Sequence, residues 1–357
     1  MEMPTAENPV VVHNGDCLDL LPRLGGVDAV VTDPPYALTD KHGPRIPQYG
    51  NGRGAQEERA RRGNSKGFMG MHWDGDLPGV EHWQAVLRVL KPGGYMLAFG
   101  GTRTYHRLTC AIEDAGFEVR DCLMWVHAQG FPKGQGCLKP AWEPILLARK
   151  PGERVLPLGI DECRVPALGG LTSGGRCVGS SPAPMNRANG IAEDRERSEE
   201  HPAGRYPANV LHDGSDEVME AFAAFGEKSS NGGGTSRGIG YESSAAAVRP
   251  IAAGDSGSAA RFFYCAKASK AERGEGNTHP TVKPLELMRW LVRLVTPEGG
   301  VVLDPFAGSG TTGEAALVEG RRAILIERES AYCDIIRRRL DHASGTGAGS
   351  LFAGATN

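Results

Sequence analysis

Asp33-Pro34-Pro35-Tyr36 is the stretch whose residue types could do chemistry together. It stands where the apolar run Ala29, Val30, Val31 stops. That run reads as a buried strand, which places the four residues at a strand's carboxyl end, where open α/β sheets bind ligands. Asp33 supplies a carboxylate acceptor. Two successive prolines fix φ and remove two N–H donors, leaving a stiff, acceptor-rich backbone with the Pro34 carbonyl available. Tyr36 supplies a flat ring. Carboxylate, carbonyl and ring together suit an exocyclic amine on a planar base, which donates two hydrogen bonds while it stacks on the tyrosine. The same residues also read as a proline-stiffened turn with a capping Asp. What favours chemistry lies near the other end of the chain.

There, Val301-Val302-Leu303-Asp304-Pro305-Phe306 runs into Ala307-Gly308-Ser309-Gly310-Thr311-Thr312-Gly313. Gly308-x-Gly310-x-x-Gly313 follows a strand and opens a helix, and Glu327 ends the next strand. This satisfies the dinucleotide-binding pattern. Three features argue against a dinucleotide-dependent oxidoreductase. Only one more strand and helix follow the loop. The carboxylate of Asp304 precedes the glycines, where a pyrophosphate is repelled and an ammonium welcomed. No His or Lys constellation for hydride transfer stands out. A ligand with a ribose, an ammonium and no phosphate fits better, and S-adenosyl-L-methionine has that make-up. Asp304 would face its amino-acid end, Glu327 would hold both ribose hydroxyls, Lys283 would pair with its carboxylate, and Asp16 would accept from the adenine amino group.

The elements that must position these groups alternate. Val10 to Val12 read as a strand ending at Asp16, Leu18 to Leu24 as a helix, and the strand to Asp33 completes a parallel βαβ pattern. Trp83, Val86, Leu87 and Leu90 have helical spacing, with Lys91-Pro92-Gly93-Gly94 as the stop. Strands are expected at Tyr95–Phe99, Val119–Val126 and Ile145–Ala148, and a helix through Tyr105, Leu108 and Ile112. From Lys150 to about Ala260 the alternation gives way to Gly, Ser, Pro and Ala, with order expected only at 206–211 and 218–225. A strand candidate at Arg261–Cys265 precedes a helix opened by Pro284. After the glycine loop come a strand at Ala323–Ile326, a last helix and, from Ala343, a Gly/Ala/Ser-rich tail. The pattern predicts an α/β fold: a doubly wound, mostly parallel sheet with helices on both faces.

Composition sets the bounds. Of 357 residues, 40% are hydrophobic and 23% charged, so a sizeable core is available, and a net charge of −3 means that any affinity for nucleic acid must be local. One stretch supplies such a patch. Lys41, Arg45, Arg53, Arg59, Arg61, Arg62 and Lys66 are met only by Glu57 and Glu58, a local excess of five positive charges directly after Tyr36. It reads either as a solvated surface loop or as a phosphate-holding loop. The eight cysteines are scattered without a C-x-x-C pair. Cys163, Cys177, His201 and His212 match no trusted zinc spacing, so no metal is expected. With no signal-peptide pattern and no apolar run of spanning length, the expectation is a cytoplasmic protein that does not engage membranes.

The two ends of the chain combine into a resemblance. Asp33-Pro34-Pro35-Tyr36 resembles the catalytic motif of amino-group DNA methyltransferases. Asp304-Pro305-Phe306-Ala307-Gly308-Ser309-Gly310 resembles their S-adenosylmethionine loop, and His279-Pro280-Thr281-Val282-Lys283-Pro284 resembles the motif preceding it. The order, catalytic motif, then insertion, then cofactor motif, is similar to the circularly permuted beta group. The resemblance implies a seven-stranded-type Rossmann-like sheet: residues 1–150 the catalytic half, 151–260 a target-recognition insertion, 261–342 the cofactor half and 343–357 a tail. It implies Asp33, Pro34, Pro35 and Tyr36 as catalytic residues. Asp16, Cys17, Asp33, His279, Thr281, Lys283, Asp304, Phe306, Gly308, Ser309, Gly310, Thr311 and Glu327 would be cofactor-binding. It implies DNA as substrate, with the base flipped out of the duplex. In this family an Asp in first position is usual for adenine N6 and a Ser for cytosine N4, so adenine is expected. A homodimer and a cognate restriction nuclease remain open as partners. N4-cytosine transfer, an RNA or protein amide substrate, and a non-catalytic nucleic-acid-binding relative remain the alternatives.

Overall fold

The computed structural model describes residues 1–37, 76–128, 130, 138–153, 155–165, 204–229, 256–266, 279 and 281–344. The chain divides into two compact units. One comprises Met1–Gly159, Asn209–Val218 and Cys265–Asn357, and the other Ile160–Ala208 and Met219–Tyr264.

The first unit is built on a sheet. Its strands are β1 (Val10–Asn14), β2 (Val27–Thr32), β3 (Leu90–Phe99), β4 (Glu118–Val126), β5 (Trp142–Arg149), β6 (Val210–His212), β7 (Val301–Asp304) and β8 (Arg322–Glu327). They lie in the order β1-β8-β7-β2-β3-β5-β4-β6. All pairings are parallel except those of β5, which runs against both β3 and β4. One edge of the sheet therefore collects the carboxyl ends of the parallel strands together with the amino end of β5.

Among the described residues, six helices flank the sheet: α1 (Cys17–Leu20), α2 (Val80–Val89), α3 (Tyr105–Asp114), α4 (Leu285–Val295), α5 (Thr311–Val318) and α6 (Ser330–Ala343). Val30, Met96, Ala98, Leu146, Leu303, Ile324 and Ile326 form one core layer with Cys17, Trp83, Val86, Leu108 and Ile112 from α1, α2 and α3. The alternate strand residues Ala29, Val31, Leu97, Phe99, Val302, Ala323 and Leu325 are buried too. On that side α4 packs on β2, β3 and α5, and α6 packs on β1 and β8. Burial on both faces explains why the strands read as continuous apolar runs. Each fully buried Val, Leu or Ile contributes roughly 1.5–3 kcal/mol relative to exposure.

Two expectations are corrected here. Leu90 is not the last turn of a helix: α2 ends at Val89, and β3 starts at Leu90 and runs through Lys91-Pro92-Gly93-Gly94. The register shifts between Val27 and Ala29 of β2, and Gly93 takes φ 78°, so the glycines form an irregularity inside a strand rather than a loop. The strand read at Arg261–Cys265 is confined to Tyr264–Cys265, after a 3-10 turn over Ala259–Phe262.

The second unit holds little regular structure among its described residues. A bridge pairs Val165 with Arg205, and a two-residue antiparallel pair joins Lys228–Ser229 to Ser256–Gly257. Cys163 is buried, Arg164 reaches Asp161 and the Gly204 carbonyl, and the Phe222 and Phe263 rings lie 5.6 Å apart.

Candidate active site

The end of β2 delivers Asp33 to the functional edge, and the prolines turn the chain so that Tyr36 folds back. The Tyr36 hydroxyl donates to Asp33 Oδ1 at 2.6 Å. Ala37, the next residue, sits in the left-handed region with φ 53°, a strained position for a non-glycine residue and one typical of functional turns. From the start of α4, Lys283 arrives buried. Its ammonium lies 2.8 Å from Asp33 Oδ2 and 3.2 Å from the Tyr36 hydroxyl, 5.4 Å from the Tyr36 ring centre and 4.8 Å from that of Phe99. Residues from two distant parts of the sequence, Asp33 with Tyr36 and Lys283, thus meet directly.

A fourth group, absent from the sequence reading, completes the cluster. Glu143 Oε2 lies 3.1 Å from Lys283 Nζ and 3.1 Å from the Tyr36 hydroxyl. It is the second residue of β5, and because β5 runs antiparallel, its amino end reaches the edge that the other strands reach with their carboxyl ends. Behind it, His127 Nε2 stands 3.7 Å from Glu143 Oε1. Burial works against the Lys283 charge, but Asp33 and Glu143 overrule it and hold the ammonium above its ordinary value. Burial likewise opposes the Glu143 charge, and Lys283 overrules it, so that carboxyl is held low. Burial, then Asp33 and Glu143, push the Tyr36 phenol well up, so it stays a donor. Burial lowers His127 and keeps it neutral.

The glycine loop lies one strand away, between β7 and α5. Gly308 and Gly310 take φ 54° and 83°. A Cβ on Gly310 would stand 2.8 Å from Ile336, so both the conformation and the close approach of α6 require glycine there. Gly308 N–H donates to Glu327 Oε2 at 2.8 Å, and Glu329 N–H to Oε1 at 2.8 Å. Burial pushes the Glu327 carboxyl up to about 7, those two N–H groups pulling the other way. On the neighbouring strand end, Asp16 is exposed and caps α1 through the Leu18 N–H. His279 is buried against Gly308 and meets the Tyr332 ring at 4.7 Å, its Nδ1 2.7 Å from the Thr281 carbonyl oxygen. Thr281 is exposed.

Several expected contacts point elsewhere. Asp304 was expected to face a ligand's ammonium. Instead it is buried, Oδ1 accepting from the Thr32 hydroxyl at 2.7 Å and Oδ2 from the Thr312 hydroxyl at 2.6 Å. Burial pushes its carboxyl up to about 6. Its work here is to tie β7 to β2 and to α5. Ser309 and Thr311 are held by Arg339 of α6, which donates to the Ser309 carbonyl, the Ser309 hydroxyl and the Thr311 hydroxyl at 2.7, 3.0 and 3.1 Å. Their side chains serve the loop's shape. The Cys17 thiol is buried, and burial pushes it up to about 12, which makes it inert. Phe306 packs towards Trp83 and His82, with ring centres 6.2 and 6.3 Å away. Lys283 is engaged by Asp33 and Glu143. Lys41, Arg45, Arg53, Arg59, Arg61, Arg62 and Lys66 lie outside the described residues, as do Cys177 and His201. No metal-binding cluster occurs among the described residues, and no described helix is long and apolar enough to cross a membrane.

A sequence profile of the N6/N4 DNA methylase family matches residues 27–338, spanning both motif regions and the sheet between them. The chain belongs to that family. Two curated relatives share 46% identity over 77 residues, 22% of this chain. One is the type II methyltransferase M2.DpnII of Streptococcus pneumoniae, and the other the DNA adenine methyltransferase YhdJ of Escherichia coli (strain K12). The match spans 28% and 26% of those relatives, little more than a quarter of their length. Among solved structures, the M1.HpyAVI–SAM complex aligns over 93% of this chain and 99% of its own, at 18% identity and a TM-score of 0.47.

Proposed function

We propose that this family member transfers a methyl group from S-adenosyl-L-methionine to the N6 amino group of adenine in DNA. The observation that carries the reading is the placement of Asp33. Its carboxylate sits beside the Tyr36 ring at the end of β2, adjacent to the strand that opens into the glycine loop. Such a crevice, where strands leave the sheet centre in both directions, is where open α/β sheets bind ligands. The adenosine half of the cofactor suits the residues present. Gly308 and Gly310 let the backbone come close, Glu327 stands as an acceptor for ribose hydroxyls, and Asp16 is exposed at the next strand end. When bound, the cofactor supplies an electrophilic methyl group on a sulfonium.

The chain's own residues do the rest by orientation and electrostatics. Tyr36 offers the ring on which a flipped base stacks. Asp33 and the Pro34 carbonyl accept from its amino group, turning the nitrogen lone pair outward. Asp33 is also the nearest acceptor for the proton that nitrogen sheds after transfer. No covalent bond to the protein is needed. The Asp in first position and the adenine specificity of the relative YhdJ favour adenine over cytosine.

We further infer that the sheet is circularly permuted. Counted from the glycine-loop strand, β7, β8, β1, β2 and β3 stand in the order 3-2-1-4-5, as in the doubly wound dinucleotide-binding fold, but the chain enters that cycle at its third strand. The stretch between β5 and α4 is our candidate for target recognition, and the basic residues Lys41 to Lys66 for phosphate contact. Neutralising Arg59, Arg61 and Arg62 should flatten the salt dependence of DNA affinity, and an unchanged slope would remove them from the interface. The deciding experiment is transfer from S-adenosylmethionine to unmodified genomic DNA, read by nucleoside mass spectrometry. N6-methyladenine is expected. N4-methylcytosine would overturn the base assignment, and no methylated nucleoside despite cofactor binding would overturn DNA as substrate.

A further inference from the structure

The geometry points to Glu143 as a positioning residue for the transfer: it retains Lys283 and the Tyr36 hydroxyl while Asp33 exchanges its ammonium partner for the amino group of the target base. This rests on the function proposed above. Both Asp33 oxygens are taken, Oδ1 by Tyr36 and Oδ2 by Lys283. In this arrangement the Lys283 ammonium stands where a substrate amine has to be, hydrogen-bonded to Asp33 and near the Tyr36 ring. An incoming amine must therefore take Oδ2 from Lys283. Were Asp33 the only counter-ion, that exchange would strand a buried ammonium, which is strongly unfavourable.

Glu143 removes the obstacle. It already shares the ammonium at 3.1 Å, so Lys283 can leave Asp33 without losing an ion pair, and it holds the Tyr36 hydroxyl at 3.1 Å at the same time. Two carboxylates and one ammonium leave the cluster at −1, which complements a cationic methyl donor. Its position is well fixed. Ile145, two residues on, pairs with Phe99 of β3 on one side and Leu123 of β4 on the other.

Glu143→Gln keeps the shape and an acceptor oxygen but removes the charge. At a DNA site mapped with the wild-type protein, its single-turnover transfer rate should fall by about tenfold or more. Melting temperature and affinity for 5′-methylthioadenosine, which contacts neither Lys283 nor Asp33 in this scheme, should stay at wild-type values. The gain in DNA affinity on adding S-adenosylhomocysteine, followed by fluorescence anisotropy, should shrink, and Glu143→Asp should recover part of both losses. Because Glu143 acts through Lys283, adding E143Q to K283M should cost little beyond K283M alone. Wild-type rates in E143Q, or losses that multiply in the double variant, would overturn the inference. A wild-type protein that methylates no DNA would instead overturn the proposed function on which it stands.

Discussion

If Glu327 holds the cofactor ribose, as proposed, cofactor affinity depends on pH in a direction that can be worked out beforehand. Its carboxyl is raised by burial from an ordinary 4.5 to about 7. Ribose hydroxyls donate best to the ionised form. With a pKa of about 7, roughly a tenth of these carboxyls are ionised at pH 6 and roughly nine tenths at pH 8. If only the ionised form holds the ribose, affinity rises about tenfold over that interval, about 1.4 kcal/mol. The sign for stability is the opposite. A raised carboxyl favours the folded state below pH 4.5, and that contribution is lost as pH rises through about 7. The ligand should therefore offset part of the loss. The assay is titration calorimetry with 5′-methylthioadenosine, which carries the ribose and adenine but no titrating amino acid. Asp304, raised to about 6, titrates in the same region but faces Thr32 and Thr312. Glu327→Gln provides the control and should bind weakly with a flat profile. A flat profile in the wild type, or an unchanged slope in E327Q, would refute the assignment of Glu327 to the ribose.

Three further outcomes are expected. Asp33→Ala should lower transfer by roughly a hundred- to thousandfold while leaving cofactor affinity near wild type, since Lys283 keeps Glu143; equal loss of both in filter binding and transfer assays would show that Asp33 is not mainly catalytic. Arg339→Met removes the donors that hold Ser309 and Thr311 and the ion pair to Glu314 at 2.7 Å. It should cost about 2 kcal/mol and weaken S-adenosylhomocysteine binding, read as a smaller ligand-induced rise in melting temperature. Gly310→Ala should destabilise by about 2 kcal/mol in urea unfolding, because its Cβ meets Ile336 and its φ is positive; a neutral result would mean that α6 can yield there.

Local patterns carried much of this fold. The apolar runs that lead to Asp33, Asp304 and Glu327 were legible as strands because burial on both faces leaves few polar residues in them. The glycine loop was legible because its conformation admits few residues. What escaped depends on distance in space. Glu143 is an unremarked acid in a strand, and only the reversed direction of β5 brings it to Lys283. Arg339 sits in a charge-rich helix, and nothing local says that it grips a loop 30 positions earlier. The hydrogen bonds of Asp304 escaped for a related reason: its two partners are the hydroxyls of Thr32 and Thr312, and one of them comes from the far end of the chain. The Lys-Pro-Gly-Gly segment misled because Pro and Gly punctuate helices and also mark strand irregularities.

That long-range pairing has a consequence for how the protein is made. β2 lies between β3 and β7, and the Thr32–Asp304 hydrogen bond spans 272 positions. During synthesis at 5–20 residues per second, β2 waits on the order of tens of seconds for its second neighbour. Throughout that interval the strand that ends at Asp33 is an open edge carrying Val30 and Val31, both fully buried in the finished protein. Such an edge is a template for wrong pairing. For most of that interval the nascent chain also lacks Lys283, and throughout it the glycine loop, so a chain terminated there carries the open edge without the partners that gather around Asp33.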